Sequence, residues 1–327
     1  MQRVSVLAKK SLIFVHRWIG VALSALFLLW FGSGVVMMYW DFPSVRADDR
    51  LERSPLLEPS RVRLSPTEAV ASLRISRSPA QIRLGTFDGR PAYRVRSGRD
   101  EEIVYADTGE EPVAVDSTMA ARIASAWTGQ PQTAVRTQLM NDVDQWTVQG
   151  PLRSLRPLWK FSWPNGEQVY VSGKGDVVQY TTARSRFWTY LGAIPHWFYF
   201  TPLRKHQPEW SRFVIWTSGV GTIVAILGIA IGVWMYSPSK AYRNGGVATA
   251  IPYTGQKRWH TIFGLFFGLG AVTWAFSGML SMDPFPVRAG SEPRAEPDVP
   301  RILRGRFNLA AFQATSPREA LAPLKAS

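Results

Sequence analysis

Residues 16–38 read HRWIGVALSALFLLWFGSGVVMM, and residues 260–282 read HTIFGLFFGLGAVTWAFSGMLSM. Aligned on the first residue, both carry His (His16, His260), Gly four on (Gly20, Gly264) and Trp fourteen on (Trp30, Trp274). They also share Ser33-Gly34 with Ser277-Gly278, and Met38 with Met282. Such self-similarity marks a repeated structural unit. Each copy lies in a charge-free run long enough to cross a bilayer, which takes about 20 apolar residues. Those runs are 18–40 and 259–282, and a third covers 213–239. The expected fold class is an α-helical integral membrane protein with three spans, their charge-free faces turned to lipid or to one another. The first run is too long for a signal peptide's apolar region and lacks a small-residue cleavage site, so it reads as an anchor.

Helix geometry gives the shared residues a common face. At about 100° per residue, positions four, fourteen and eighteen on fall within about 40° of the leading histidine. Small residues on one face let a helix or a flat ligand approach closely. Helix packing is the expectation for Gly34 and Gly278. For Gly20 and Gly264, one turn from a histidine, close approach of a ligand competes with packing. In the third run, Gly228-x-x-x-Gly232 is a further close-packing motif.

Basic residues orient the spans. Arg3, Lys9, Lys10 and Arg17 precede the first, and Lys240, Arg243, Lys257 and Arg258 fill a loop free of acids. Both segments read as cytoplasmic; Arg204, Lys205 and Arg212 oppose this, but the short loop is the stronger signal. The net charge of +14 comes from 38 Lys and Arg against 24 Asp and Glu. Much of the excess is this orienting signature and the rest is scattered among acids, so nucleic acid is not an expected partner and membrane lipid is. There is no cysteine, which removes disulfides, thiol relays and iron–sulfur ligation.

Between the first two runs the sequence changes character. SPTEAVASL (65–73) begins as a capped helix, with Ser65 as cap, Pro66 in the first turn and Glu68 three on. Alternating strands follow through GRPAYRVRSGRDEEIVYADTGE, with turns at Ser97-Gly98 and Thr108-Gly109. A second copy runs from a helix at 117–127 into RPLWKFSWPNGEQVYVSGKGD (156–176). This predicts an extracytoplasmic α+β domain made of two similar units. Asp142 and Asp144 fall in an acidic turn that reads as solvated, not catalytic. Next, FWTYLGAIPHWFYFTPLRKHQPEW (187–210) is strongly aromatic and broken by Pro195 and Pro202. Aromatic rings favour the membrane interface, and proline breaks argue against a full span.

These readings divide the chain into a cytoplasmic start (1–17), a first span (18–40), the α+β domain (41–186) and the interfacial segment (187–210). A second span (211–236), a cytoplasmic loop (237–258), a third span (259–282) and an extracytoplasmic tail (283–327) complete it. In the tail, SPREALAPL (316–324) repeats SPTEAVASL, so a second round of the pattern begins there. A longer natural chain is the favoured explanation, a degenerate copy the other.

The only histidines are His16, His196, His206 and His260, all at predicted membrane boundaries. Paired imidazoles from facing helices suit six-coordinate haem b iron and electron transfer. His16 and His260 are candidate axial ligands at the inner face, with Gly20 and Gly264 packing on the haem face; His196 and His206 are candidates at the outer face, for one iron or two. A polar interface role, proton handling, or zinc or copper binding are the competing readings.

HRWIG…SG, IPHWFYFTPLR, RWH…G…SG and SPTEA…DGRPAYRV…VYADTGE together resemble the PepSY-associated transmembrane family of bacterial inner-membrane proteins. The resemblance covers nearly the whole chain. It implies two PepSY-like units outside the membrane and a link to iron acquisition. It also implies one or two haem b groups on histidines of this kind, and reduction of a ferric siderophore in the periplasm. Such reductases usually have a fourth span. No G-x-G-x-x-G follows a strand, so a quinol or a separate protein is the expected electron donor. PepSY domains are also associated with peptidase regulation, which implies the alternative of a non-enzymatic membrane protein binding a peptidase or assembly partner. A transporter is a third class, disfavoured because no span holds a charge.

Overall fold

The structure, a computed structural model, describes residues 2–73, 75, 79–98, 100–239, 242–244, 247–285 and 316–321. The elements begin with α1 (Gln2–Met37), α2 (Ala47–Arg53), α3 (Pro66–Ser72), β1 (Gln81–Phe87), β2 (Arg90–Ser97) and β3 (Asp100–Tyr105). Then come α4 (Ser117–Thr128), β4 (Arg136–Met140), β5 (Leu158–Ser162), β6 (Gln168–Ser172), β7 (Val177–Thr181) and α5 (Ala183–Leu191). The last are α6 (Ala193–Trp197), α7 (Thr201–Arg204), α8 (Gln207–Met235), β8 (Tyr242–Asn244), β9 (Val247–Thr249), α9 (Gly255–Leu280) and α10 (Pro317–Leu321). They form two compact units, divided after Asp41 and again after Phe187.

The helical unit holds three helices long and apolar enough to cross a membrane, over Leu7–Met37, Gln207–Met235 and Gly255–Leu280. Each starts earlier than the charge-free run that predicts it. Nothing in QRVSVLAKK breaks a helix, so α1 continues back through its basic start. His16 therefore sits well inside α1, not at its beginning. Lys9 stands 5.0 Å over the Trp234 ring, which brings the start of α1 to the end of α8. At the other end Leu26 and Trp30 pack against Trp210 and Val214 near the start of α8. The helices α1 and α8 are thus antiparallel.

Glycines carry the α8–α9 contact. A Cβ at Gly232 would lie 2.9 Å from Leu265, one at Gly268 2.8 Å from Ile229, and one at Gly219 3.3 Å from Met279. These pairs run in opposite directions along the two helices, so α9 returns parallel to α1. Residues 187–210 form no span. They fold as the end of α5, α6 and α7, broken at Gly192 and at Phe198, whose φ is 52°. Trp40 and Trp188 stack with centroids 5.3 Å apart. The loop 237–258 contains the antiparallel pair β8–β9, which the sequence reading does not anticipate; Lys240 lies outside the described residues.

The second unit repeats helix-then-sheet twice. Helix α3 precedes the antiparallel sheet β1-β2-β3, and α4 precedes β4-β5-β6-β7. Ser65 and Glu68 exchange the expected reciprocal hydrogen bonds at the start of α3, at 3.2 and 2.7 Å. Ser316 and Glu319 do the same before α10, at 3.1 and 3.2 Å, so the repeated SPxE sequence builds the same cap. Ala69 of α3 and Leu73, just after its end, bury against Tyr93, Val95 and Val104. Ala120, Ala124 and Trp127 of α4 bury against Phe161, Val169, Val171 and Val177. Phe87, Ala92, Tyr105 and Met119 join the two halves.

One turn is tightly constrained. Gly175, between β6 and β7, has φ +76°, and a Cβ there would lie 2.5 Å from the Phe87 ring. Gly175→Ala is expected to lower the thermal stability of this domain by more than about 1 kcal/mol, from left-handed backbone strain plus displacement of Phe87. An unchanged melting curve would show that Phe87 is not held at this turn.

Candidate imidazole sites in the membrane unit

His16 and His260 come together at one end of α1 and α9. Their ring centroids lie 6.1 Å apart with 40° between the planes. Two imidazoles sharing one metal ion, at bonds of about 2.0–2.1 Å, have centroids roughly 6 Å apart. His16 is half-buried, and its Nδ1 lies 3.0 Å from the Val224 carbonyl of α8. A carbonyl only accepts, so Nδ1 donates and Nε2 keeps the lone pair that a metal requires. His260 is exposed.

The glycines on the shared face differ in their surroundings. Gly34 and Gly278 are packing positions. A Cβ at Gly34 would meet Trp274 at 3.1 Å, and one at Gly278 would meet Ser218 at 3.4 Å. Beside the histidines, a Cβ at Gly20 or Gly264 would have no neighbour within 4 Å. Both positions face open space among the described residues. The Gly228-x-x-x-Gly232 motif packs, but onto two helices: Gly232 receives Leu265 of α9, and Gly228 receives the imidazole of His16.

His196, on α6, turns towards α1. Its Nδ1 lies 3.1 Å from the Trp30 carbonyl and 3.2 Å from the Ser33 hydroxyl. Ser33 donates its own proton to the Leu29 carbonyl at 2.6 Å and so accepts from the imidazole. Trp274 closes the other side, its ring centroid 6.4 Å from that of His196. His206 precedes α8, is exposed, and makes no side-chain cap. Among the described residues no ring contact joins His206 to His196. The donor set thus fits one bis-imidazole iron at His16 and His260. The structure brings no second imidazole to His196.

Two other expectations change. Arg204, which from sequence is one of the basic residues flanking the outer end of a span, is only 6% exposed. Its guanidinium lies 4.3 Å over the Trp210 ring and 5.1 Å over Tyr199, and it bonds Gln207. The aromatic crowding that marks the interface also buries this charge. Asp144, read as solvated, is largely buried and accepts from Lys160 Nζ at 2.9 Å and Tyr170 Oη at 2.6 Å. It is a structural hub of the second sheet.

Sequence reasoning misses the carbonyls of Val224 and Trp30 and the hydroxyl of Ser33 as partners of the histidines. The available signal is the glycine that follows each carbonyl by four residues. Among the described residues no three metal-ligating side chains converge. Comparison with family models, curated proteins and solved structures returns no match for this chain.

Proposed function

We propose that this chain is a b-type haem protein of the bacterial inner membrane. It carries electrons across the bilayer to a ferric siderophore or another ferric chelate outside. One observation carries the reading: His16 and His260 stand 6.1 Å apart with Nε2 of His16 left free by its bond to Val224. His16 and His260 would hold a haem there through their imidazole nitrogens, and the haem would supply one-electron iron chemistry. The protein's part is positional. Val224 fixes the His16 ring, and Gly20 and Gly264 leave clearance beside the pair. Lys9, Lys10, Arg17, Lys257 and Arg258 mark that end as cytoplasmic, which puts the α+β domain in the periplasm. A quinol or a separate protein supplies the electron. Hard oxygen donors hold Fe(III) better than Fe(II), so reduction loosens the chelate.

Proteoliposomes test this, with reductant sealed inside and a ferric chelate plus a ferrous-specific dye outside. The wild type is expected to develop colour at least about tenfold faster than His16→Ala, as loss of a ligand demands. Equal rates would remove the proposal.

A second reading, a PepSY-like anchor for a peptidase or assembly partner, draws on β4. This edge strand has Arg136, Thr137, Gln138 and Leu139 all exposed. Open edges accept extended peptides.

A further inference from the structure

The two half-buried histidines of the membrane unit are held by the same arrangement. His16 meets the carbonyl of Val224, and the residue four further along that helix is Gly228. His196 meets the carbonyl of Trp30, and the residue four further along is Gly34. At Gly228 the imidazole alone occupies the space of the missing side chain, and at Gly34 it shares that space with the Trp274 ring, 3.1 Å from a Cβ there. A Cβ would lie 2.7 Å from the imidazole Cε1 at Gly228 and 3.2 Å at Gly34.

Helix geometry explains the pairing. The carbonyl of residue i already accepts the N–H of residue i+4 and has a second lone pair to offer. A side chain at i+4 leans towards the helix N-terminus, over that carbonyl. Glycine at i+4 uncovers it. Other close glycines lack this combination: Gly221 receives Phe27, Gly232 receives Leu265 and Gly268 receives Ile229, all apolar. His206 and His260 are exposed and have no such partner.

The geometry points to Gly228 and Gly34 as positioning residues that select the histidine tautomer. Each opens a backbone carbonyl to Nδ1–H, which leaves the Nε2 lone pair of His16 and His196 presented for ligation. A free histidine side chain favours the opposite tautomer, so the two positions bias the ring towards the metal-competent form before any metal arrives. Tautomer selection stands on geometry alone; only its use, offering Nε2 to iron, rests on the haem proposal.

The test uses the full chain, ¹⁵N-labelled at histidine, from a haem-deficient host and held in lipid nanodiscs. Four histidines, assigned by single His→Gln variants, give a readable spectrum. Wild-type His16 and His196 are expected with the proton on Nδ1, and His206 with the free-imidazole preference. Gly228→Ala should move His16 alone away from the Nδ1–H form, and Gly34→Ala His196 alone. Gly232→Ala, which disturbs packing only, should move neither. A wild type with the proton on Nε2 overturns the inference, and so does a folded Gly228→Ala that keeps His16 as Nδ1–H. The wild-type spectrum decides even where an alanine variant does not fold. In haem-replete cells, Gly228→Ala is expected to lower haem affinity about 10- to 100-fold while Gly232→Ala retains it. A wild type that is colourless there but has Nδ1–H at both histidines would keep the tautomer selection and remove the haem proposal.

Discussion

His16→Ala is expected to abolish the low-spin absorption signature of the purified protein, and His260→Ala to remove the same component. The two rings lie 6.1 Å apart, so each variant leaves one imidazole where a pair is needed. Loss of a supporting partner typically costs 10- to 100-fold in metal affinity, and loss of a ligand itself should exceed about 100-fold. His206→Ala is the contrasting variant. This residue is exposed and joins no other imidazole, so its removal should leave that component intact. Visible spectra of the three variants, matched by protein content, check this. Unequal losses between His16→Ala and His260→Ala would show that the two do not share one iron.

Asp144→Ala is expected to destabilise the soluble domain by about 3–5 kcal/mol at neutral pH, the usual cost of breaking a buried charge pair. Asp144 and Lys160 are 19% and 16% exposed. Tyr170 Oη, the Thr147 hydroxyl and the Trp146 N–H donate to the same carboxylate, at 2.6, 3.0 and 3.1 Å. Removing Asp144 leaves Lys160 without its counterion in a half-buried site. Burial by itself would raise the Asp144 pKa; the bonds from Lys160, Tyr170 and Thr147 outweigh it and hold the group below the usual carboxylate range. A depressed folded-state pKa gives stability that is complete above the unfolded value, about pH 4, and is lost as pH falls through the lower folded value. Thermal unfolding of the full chain in detergent, followed by near-ultraviolet circular dichroism, should therefore separate variant from wild type at pH 7. The gap should narrow below about pH 4. A gap independent of pH would mean that packing, not the charge, makes the difference.

The sequence was informative where the physics is local. Charge-free length sets the three spans, and serine with glutamate three residues on builds the caps at Ser65 and Ser316. Glycine turns and alternating strands disclose both α+β halves. The common face of the repeated helices brings His16 and His260 to one end. Non-local contacts were not legible. Nothing in Gly228-x-x-x-Gly232 says that one glycine meets α9 and the other a histidine of α1. Arg204 looks like a surface cation until Tyr199 and Trp210 fold over it, and Asp144 looks solvated until β5 and β6 bring Lys160 and Tyr170 to it. Helix α1 begins before the charge-free run because hydropathy marks where apolar residues begin, while a helix continues through basic residues that favour it.

The central claim is that His16 and His260 hold a low-spin iron. The reduced-minus-oxidised visible spectrum of the full chain, purified in mild detergent from haem-replete cells, tests it most directly. The account predicts a sharp Soret band and a narrow α band on reduction with dithionite. A colourless protein, folded and expressed with ample haem, would contradict it.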